Sequence, residues 1–213
     1  MSARMSNNAT ERLFAAIYDP FLWLGERRGM RMRRQLLIGQ ARGHVLEIGA
    51  GTGLNLPYYS DEVEQLILTE PVGATYDLLS TRAGSLARTA VVQAPGDALP
   101  VESGTVDTVV STLVLCTVPL VEPVLAEVVR ILKPGGRLLF LEHVRASDGR
   151  LARRQDRLSN AWAVLAQGCR CDRDTESLLR RYFNVDQVRY DSWRGMPSLV
   201  RPLVTGTAMV KAR

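Results

Sequence analysis

Glu47-Ile48-Gly49-Ala50-Gly51-Thr52-Gly53 is the stretch whose reading decides the fold. It follows a short apolar run, His44 to Ile48, and opens onto a helical stretch. Glycines at this spacing let a backbone pass close beneath a ligand, where a Cβ would collide. The pattern is GxGxG, with Leu54 where a dinucleotide fingerprint carries its last glycine. No GK[ST] follows, which excludes the phosphate loop of nucleoside triphosphatases.

Outward from this turn the chain alternates strands and helices. Gln65–Glu70, Ala90–Gln93, Val106–Ser111 and Arg137–Val144 read as the next four strands, and stretches near Val185–Tyr190 and Gly206–Lys211 as a sixth and seventh. Near-continuous apolar strands separated by helices predict a parallel sheet covered on both faces. Val121, Leu125, Val128, Val129 and Leu132 recur at helical spacing. Pro134 stops that helix and Gly135-Gly136 makes the turn. Residues 150–183 are mostly helical in pattern, with Leu151, Leu158, Trp162 and Leu165 on one face.

Composition fits this reading. The chain has 213 residues, 46% apolar and 23% charged, which suits one α/β domain and excludes a disordered chain. No apolar run approaches the ~18 residues needed to span a bilayer, and no secretory signal is evident. Three cysteines, Cys116, Cys169 and Cys171, cannot all pair, so a reducing, cytoplasmic setting is the default. With two histidines besides, no metal site is expected. The net charge of +5 comes almost wholly from arginine, which coding bias explains as well as anion binding.

Acidic residues sit where a nucleotide-like ligand would need them. Glu70, with Pro71 after it, ends the second strand 17 residues beyond Gly53, where a carboxylate can accept both ribose hydroxyls. Asp97, in Gly96-Asp97-Ala98-Leu99-Pro100, follows the third strand and is placed to reach an adenine amine. ExGxGxG, an acid after strand two, GDALP after strand three and LKPGG before strand five together resemble the class I S-adenosylmethionine-dependent methyltransferases, over about residues 44–144.

The resemblance implies a Rossmann-like, seven-stranded, mostly parallel sheet with helices on both faces, and strand seven antiparallel between five and six. It implies S-adenosylmethionine as cofactor. Glu47, Gly49, Ala50, Gly51 and Gly53 would approach its methionine part, Glu70 and Pro71 the ribose, Asp97 and Ala98 the adenine, and Thr112 and Leu113 the sulfonium side. A narrower set, Thr112–Cys116, Leu141-Glu142-His143-Val144, Gly168-Cys169 and Val204–Lys211, is similar to the methyltransferase-like alkyl thiol methyltransferases, which implies S-methylation of a small apolar thiol. O- or C-methylation of a phenol, quinone or lipid headgroup, and cofactor binding without turnover, are the alternatives.

A sulfonium methyl is already activated, so the protein must align donor and acceptor and exclude water. His143, at the carboxyl end of strand five, is the candidate base, with Glu142 as its orienting partner or alternative. The chain lacks [DN]PP[YF] after strand four and has no aromatic-interleaved basic platform, so nucleic acid is not the expected substrate.

Residues 1–42 form an N-terminal helical segment before the methyltransferase domain of 43–213. Leu13, Ile17, Phe21 and Leu24 make one apolar stripe, and Asp19-Pro20 is expected to break it, Asp capping and Pro opening the next helix. The segment reads as a helix pair packed over the sheet, as a lid in which Phe14, Tyr18 and Phe21 close the cofactor site, or as a weak membrane-surface contact through Arg27–Arg34. Tyr18 is the candidate for the cofactor's carboxylate. The sequence leaves the oligomeric state open.

Overall fold

The computed structural model describes residues 9–84 and 86–211, and side chains from Ile17 onward. Seven strands form one sheet: β1 (Gly43–Ile48), β2 (Val63–Thr69), β3 (Thr89–Val92), β4 (Val106–Thr112), β5 (Leu132–His143), β6 (Phe183–Ser192) and β7 (Pro202–Val210). Their spatial order is β3-β2-β1-β4-β5-β7-β6. The first five run parallel, and β7 lies antiparallel between β5 and β6. This is the sheet that the sequence predicts.

The pleat sends alternate residues to opposite faces, and each face has its own core. Val45, Leu139 and Leu141 join Leu22, Met30 and Leu79 on one side. Leu46, Leu138 and Phe140 join Val124, Leu125 and Leu179 on the other. The first side is covered by α1 (Ala9–Gly25), α2 (Arg31–Ile38) and α3 (Gly73–Ala83), the second by α4 (Val121–Ile131) and α6 (Thr175–Tyr182). Gly206 pairs with Phe140 across β5 and β7. A Cβ there would come within 2.7 Å of the Phe140 ring, so the glycine makes room for that buried ring.

Three local expectations are corrected. Asp19-Pro20 does not break α1, which holds Pro20 in its interior. Asp19 instead accepts from Thr52 Oγ1 at 2.6 Å and pairs with Arg82 at 2.7 Å, so tertiary partners take up the side chain expected to cap. The break falls later, in a π-helical turn, Glu26–Met30, where Gly29 takes φ +116°, a value that glycine adopts without strain.

The helix α5 (Gly149–Leu165) buries a different face from the one expected. Leu158 and Leu165 are exposed, and Ala152, Gln155 and Ser159 are buried. Gln155 accepts from the Ala146 amide at 2.7 Å and donates to the Val144 and Leu199 carbonyls; Ser159 donates to Asp172 at 2.8 Å. Apolar periodicity overlooks this face because its polar residues are buried fully bonded.

The N-terminal apolar stripe is likewise not a core stripe. Ile17, Phe21 and Leu24 are exposed, whereas Leu22 is buried. The side chains of Leu13 and Phe14 lie outside the described residues. The arginines of the basic stretch differ in their surroundings. Arg34 is buried, Arg33 pairs with Asp191, and Arg27 stacks over Trp23 with its guanidinium carbon 4.9 Å from the ring centre.

Candidate active site

The carboxyl ends of β1, β2, β4 and β5 open onto a cavity of about 800 Å³. Open α/β sheets place ligands at this edge, where the loops after successive strands converge. Ile17, Tyr18, Phe21 and Leu22 of α1 line its other side, so the N-terminal helix forms part of the wall.

One end of the cavity is polar. Gly49, Gly51, Glu70, Pro71 and Asp97 line it. Gly51 has φ +57°, and a Cβ there would meet no protein atom nearer than 4.0 Å, which leaves the space beside its Cα to a ligand. Glu70 is nearly buried and accepts one bond per oxygen, from the Gly51 and Val72 amides, each at 3.0 Å. Burial raises its pKa, and those two amides oppose the rise. A carboxylate offers about four lone-pair sites, so two remain for a diol. The backbone amides of the turn fix the carboxylate, and the carboxylate fixes the turn.

Other residues expected at this end are not on the cavity wall. Ala50 is buried and its amide donates to the Thr69 carbonyl. Gly53, at φ +85°, is closed in by Leu56 and Leu79. Ala98 is exposed beyond Asp97.

Glu47 and Thr112 belong to a buried polar network that sequence reading missed. The Arg34 guanidinium donates to Glu26 at 3.1 Å, to Asn55 Oδ1 at 2.8 Å and to Thr112 Oγ1 at 3.4 Å. Asn55 in turn donates to Glu47 at 2.7 Å and Thr112 at 2.9 Å, and the Tyr59 hydroxyl donates to Glu47 at 2.6 Å. Burial pushes the Glu47 carboxyl up to about 7, against its bonds from Tyr59 and Asn55. The network ties the turn after α1 to the ends of β1 and β4 beneath the glycine turn. No local signal marks it; its members lie up to 86 residues apart in sequence, from Glu26 to Thr112.

The other end of the cavity is apolar. His143, Trp193, Met196, Trp162, Cys116 and Cys169 line it. His143 is buried and stacks on Trp193, with ring centroids 5.5 Å apart. The nearby carbonyls of Pro202 and Val200 favour its protonated form, and Nδ1 has no hydrogen-bond partner among the described residues. Burial pushes the imidazole down to about 4, so it is neutral at physiological pH and one ring nitrogen carries a lone pair.

Glu142 is not brought to the cavity. The pleat of β5 puts it on the face of Leu138 and Phe140, whereas His143 shares the face of Leu139 and Leu141. Its carboxylate accepts from Ser111 Oγ at 2.8 Å, the Val114 amide at 3.1 Å and the Cys116 amide at 3.3 Å. It therefore shapes the loop after β4. That loop begins at Leu113, which lines the cavity in the left-handed region at φ +61°, unusual for a non-glycine residue. The parity of β5 was the signal that separates Glu142 from His143.

Comparison with known proteins agrees with this geometry. A family described as "Methyltransferase domain" matches residues 46–140. The human thiol S-methyltransferase TMT1A is 34% identical over 170 residues, 78% of this chain and 70% of that protein. Human thiol S-methyltransferase TMT1B is 34% identical over 160 residues, 70% of this chain and 66% of that protein. A solved SAM-dependent methyltransferase from Thermotoga maritima superposes with a TM-score of 0.69 at 20% identity, covering 94% of this chain and 98% of that one, which speaks for the fold alone. The fold, the polar end of the cavity and these relatives together establish that the chain belongs to the class I S-adenosylmethionine-dependent methyltransferases, in the family of human TMT1A.

Proposed function

We propose that the chain S-methylates a small apolar thiol, with S-adenosylmethionine as donor. The observation that carries this reading is His143: a buried, neutral imidazole that lines an otherwise apolar compartment, with Nδ1 unpartnered among the described residues. Glu70 holds the ribose, Asp97 the adenine and Tyr18 the carboxylate. Gly49, Gly51 and Leu113 lie along the methionine part. The names of the relatives TMT1A and TMT1B support the choice of a thiol.

Bound donor supplies an activated methyl, and the residues of this chain do the rest. The apolar wall strips water from the acceptor sulfur. Nδ1 accepts the S–H hydrogen bond and aims the sulfur lone pair. Full proton transfer beforehand is unfavourable: a thiol near 8.5 and an imidazole near 4 differ by roughly 4.5 units, or about 6 kcal/mol. As the new S–C bond forms the S–H becomes strongly acidic, and the proton then passes to Nδ1.

The test is incubation with a labelled methyl donor and a panel of thiols, phenols and quinols. Label should appear in thioethers. His143→Ala should lower turnover much more than cofactor affinity, and the loss should shrink as pH rises and the thiol ionises unaided. A constant fractional loss from mildly acidic to alkaline pH removes His143 from this role. Methylation of quinols alone moves the assignment to O- or C-methylation, and cofactor binding without any product to a binding protein.

A further inference from the structure

Two of the three cysteines meet on the cavity wall. Cys116 Sγ and Cys169 Sγ are 4.0 Å apart, both buried and both lining the apolar compartment. They belong to loops distant in sequence, and the structure holds these loops together firmly. The Arg170 amide donates to the Cys116 carbonyl at 2.7 Å. Arg173 donates to the carbonyls of Leu115 and Val118. Gly168, at φ +91°, lets the second loop seat against the first, since a Cβ there would lie 2.8 Å from the Thr117 carbonyl oxygen. One backbone hydrogen bond between adjacent segments sets a spacing of roughly 5 Å, within the range a disulfide spans. The two sulfurs stand about 2 Å beyond bonding distance, 4.0 Å against a bond of about 2.05 Å.

We propose that Cys116 and Cys169 are a reactive dithiol that reduces small apolar disulfides entering the cavity. The Cys169 thiolate attacks one sulfur of the disulfide RSSR, breaking its S–S bond and releasing RS⁻. Cys116 then attacks Cys169 Sγ in the mixed disulfide and releases the second RS⁻. The two cysteine protons end on the two released thiols. The protein sulfurs are oxidised by two electrons in all, and the small disulfide is reduced by the same two. The exchange is stoichiometric, one disulfide per chain.

The order of attack follows from the pair. The hydrogen bond between the two thiols holds the Cys169 pKa down, with the Arg173 charge adding to it and burial opposing it, and the same bond and burial raise Cys116. Cys171 is the internal control: it is buried off the cavity wall, and burial pushes its thiol up to about 11. Because both cysteines line the apolar end of the cavity, the partner is a small uncharged disulfide rather than a peptide one. The proposal rests on the cavity and the two thiols, not on the identity of the methyl acceptor, so it stands or falls separately from S-methylation.

The test is to mix the fully reduced chain with a chromogenic pyridyl disulfide. Two equivalents of pyridine thione should be released per chain, with no pyridyl adduct left on the protein. Peptide mapping should find Cys116 linked to Cys169, and oxidised glutathione should react at least about tenfold more slowly. Cys116→Ser should release one equivalent and keep a stable adduct on Cys169. A stable adduct on the wild-type chain with no Cys116–Cys169 link would overturn the proposal, as would equal release from the double variant Cys116→Ser/Cys169→Ser. Circular dichroism of each variant separates loss of reaction from loss of fold, and mapping of the unmutated chain decides the question even where a variant does not fold.

Discussion

Replacing Arg34 by Met tests whether the buried network holds the N-terminal helices to the sheet. Arg34 and Glu26 are both almost fully buried, and their side chains form an ion pair at 3.1 Å. Removing one partner of a buried pair strands the other, at a cost of about 3–5 kcal/mol. Asn55 Oδ1 also loses its donor, an unpaired buried acceptor worth about 1–3 kcal/mol. The two effects overlap, because both come from the one lost guanidinium and Asn55 keeps its bonds to Glu47 and Thr112. The expected net loss is therefore about 4 kcal/mol. For a chain of this size each kcal/mol lowers Tm by roughly 2–4 °C, so Tm should fall by about 8–16 °C. Denaturant titration and calorimetry measure it. The double variant Glu26→Gln/Arg34→Met, which removes both charges, should recover most of the loss. A single variant that melts within about 2 °C of the wild type would show that the pair is not what anchors α2, and the argument would fail.

Glu47 predicts a pH signature. Its folded pKa of about 7 lies above the value of 4.5 for a free carboxyl, so the folded state holds this proton more tightly than the unfolded chain. Its stabilisation is complete below about 4.5 and lost as pH rises to about 7, some 3 kcal/mol in all. Glu47→Gln removes that dependence, so its stability relative to wild type should improve from pH 5 to pH 8; a flat difference refutes the assignment. Glu70→Ala should weaken cofactor binding by about 2 kcal/mol, roughly thirtyfold, by calorimetry. Gly51→Val should abolish binding, since the side chain enters the ligand's space and sits at φ +57°; unchanged affinity in both variants would move the site elsewhere. Deleting residues 1–25 removes Tyr18, Phe21 and Leu22 from the wall and should leave a folded sheet that binds cofactor poorly; full affinity would end the lid reading.

The sheet and its glycine turn were legible because they rest on short-range rules. Apolar runs of strand length, helical spacing between them and a GxGxG turn each act within a few residues, and they agree with one another. The order of acids after successive strands carried the polar end of the cavity for the same reason: Glu70 directly follows β2 and Asp97 stands in the loop after β3, both strands that the pattern already locates. What the tertiary structure alone decided involves side chains whose partners are remote. Asp19 reads as a helix cap until Thr52 and Arg82 come within reach. Glu47 reads as part of a cofactor motif until Asn55 and Tyr59 take both its oxygens. Gln155 and Ser159 give no apolar signal, and their bonds exist only once α5 docks. Cys116 and Cys169 are 53 residues apart in the chain and 4.0 Å apart in space. A polar or ionisable group takes its role from whatever satisfies it once water is gone, and burial is a property of the assembled fold rather than of any window of sequence.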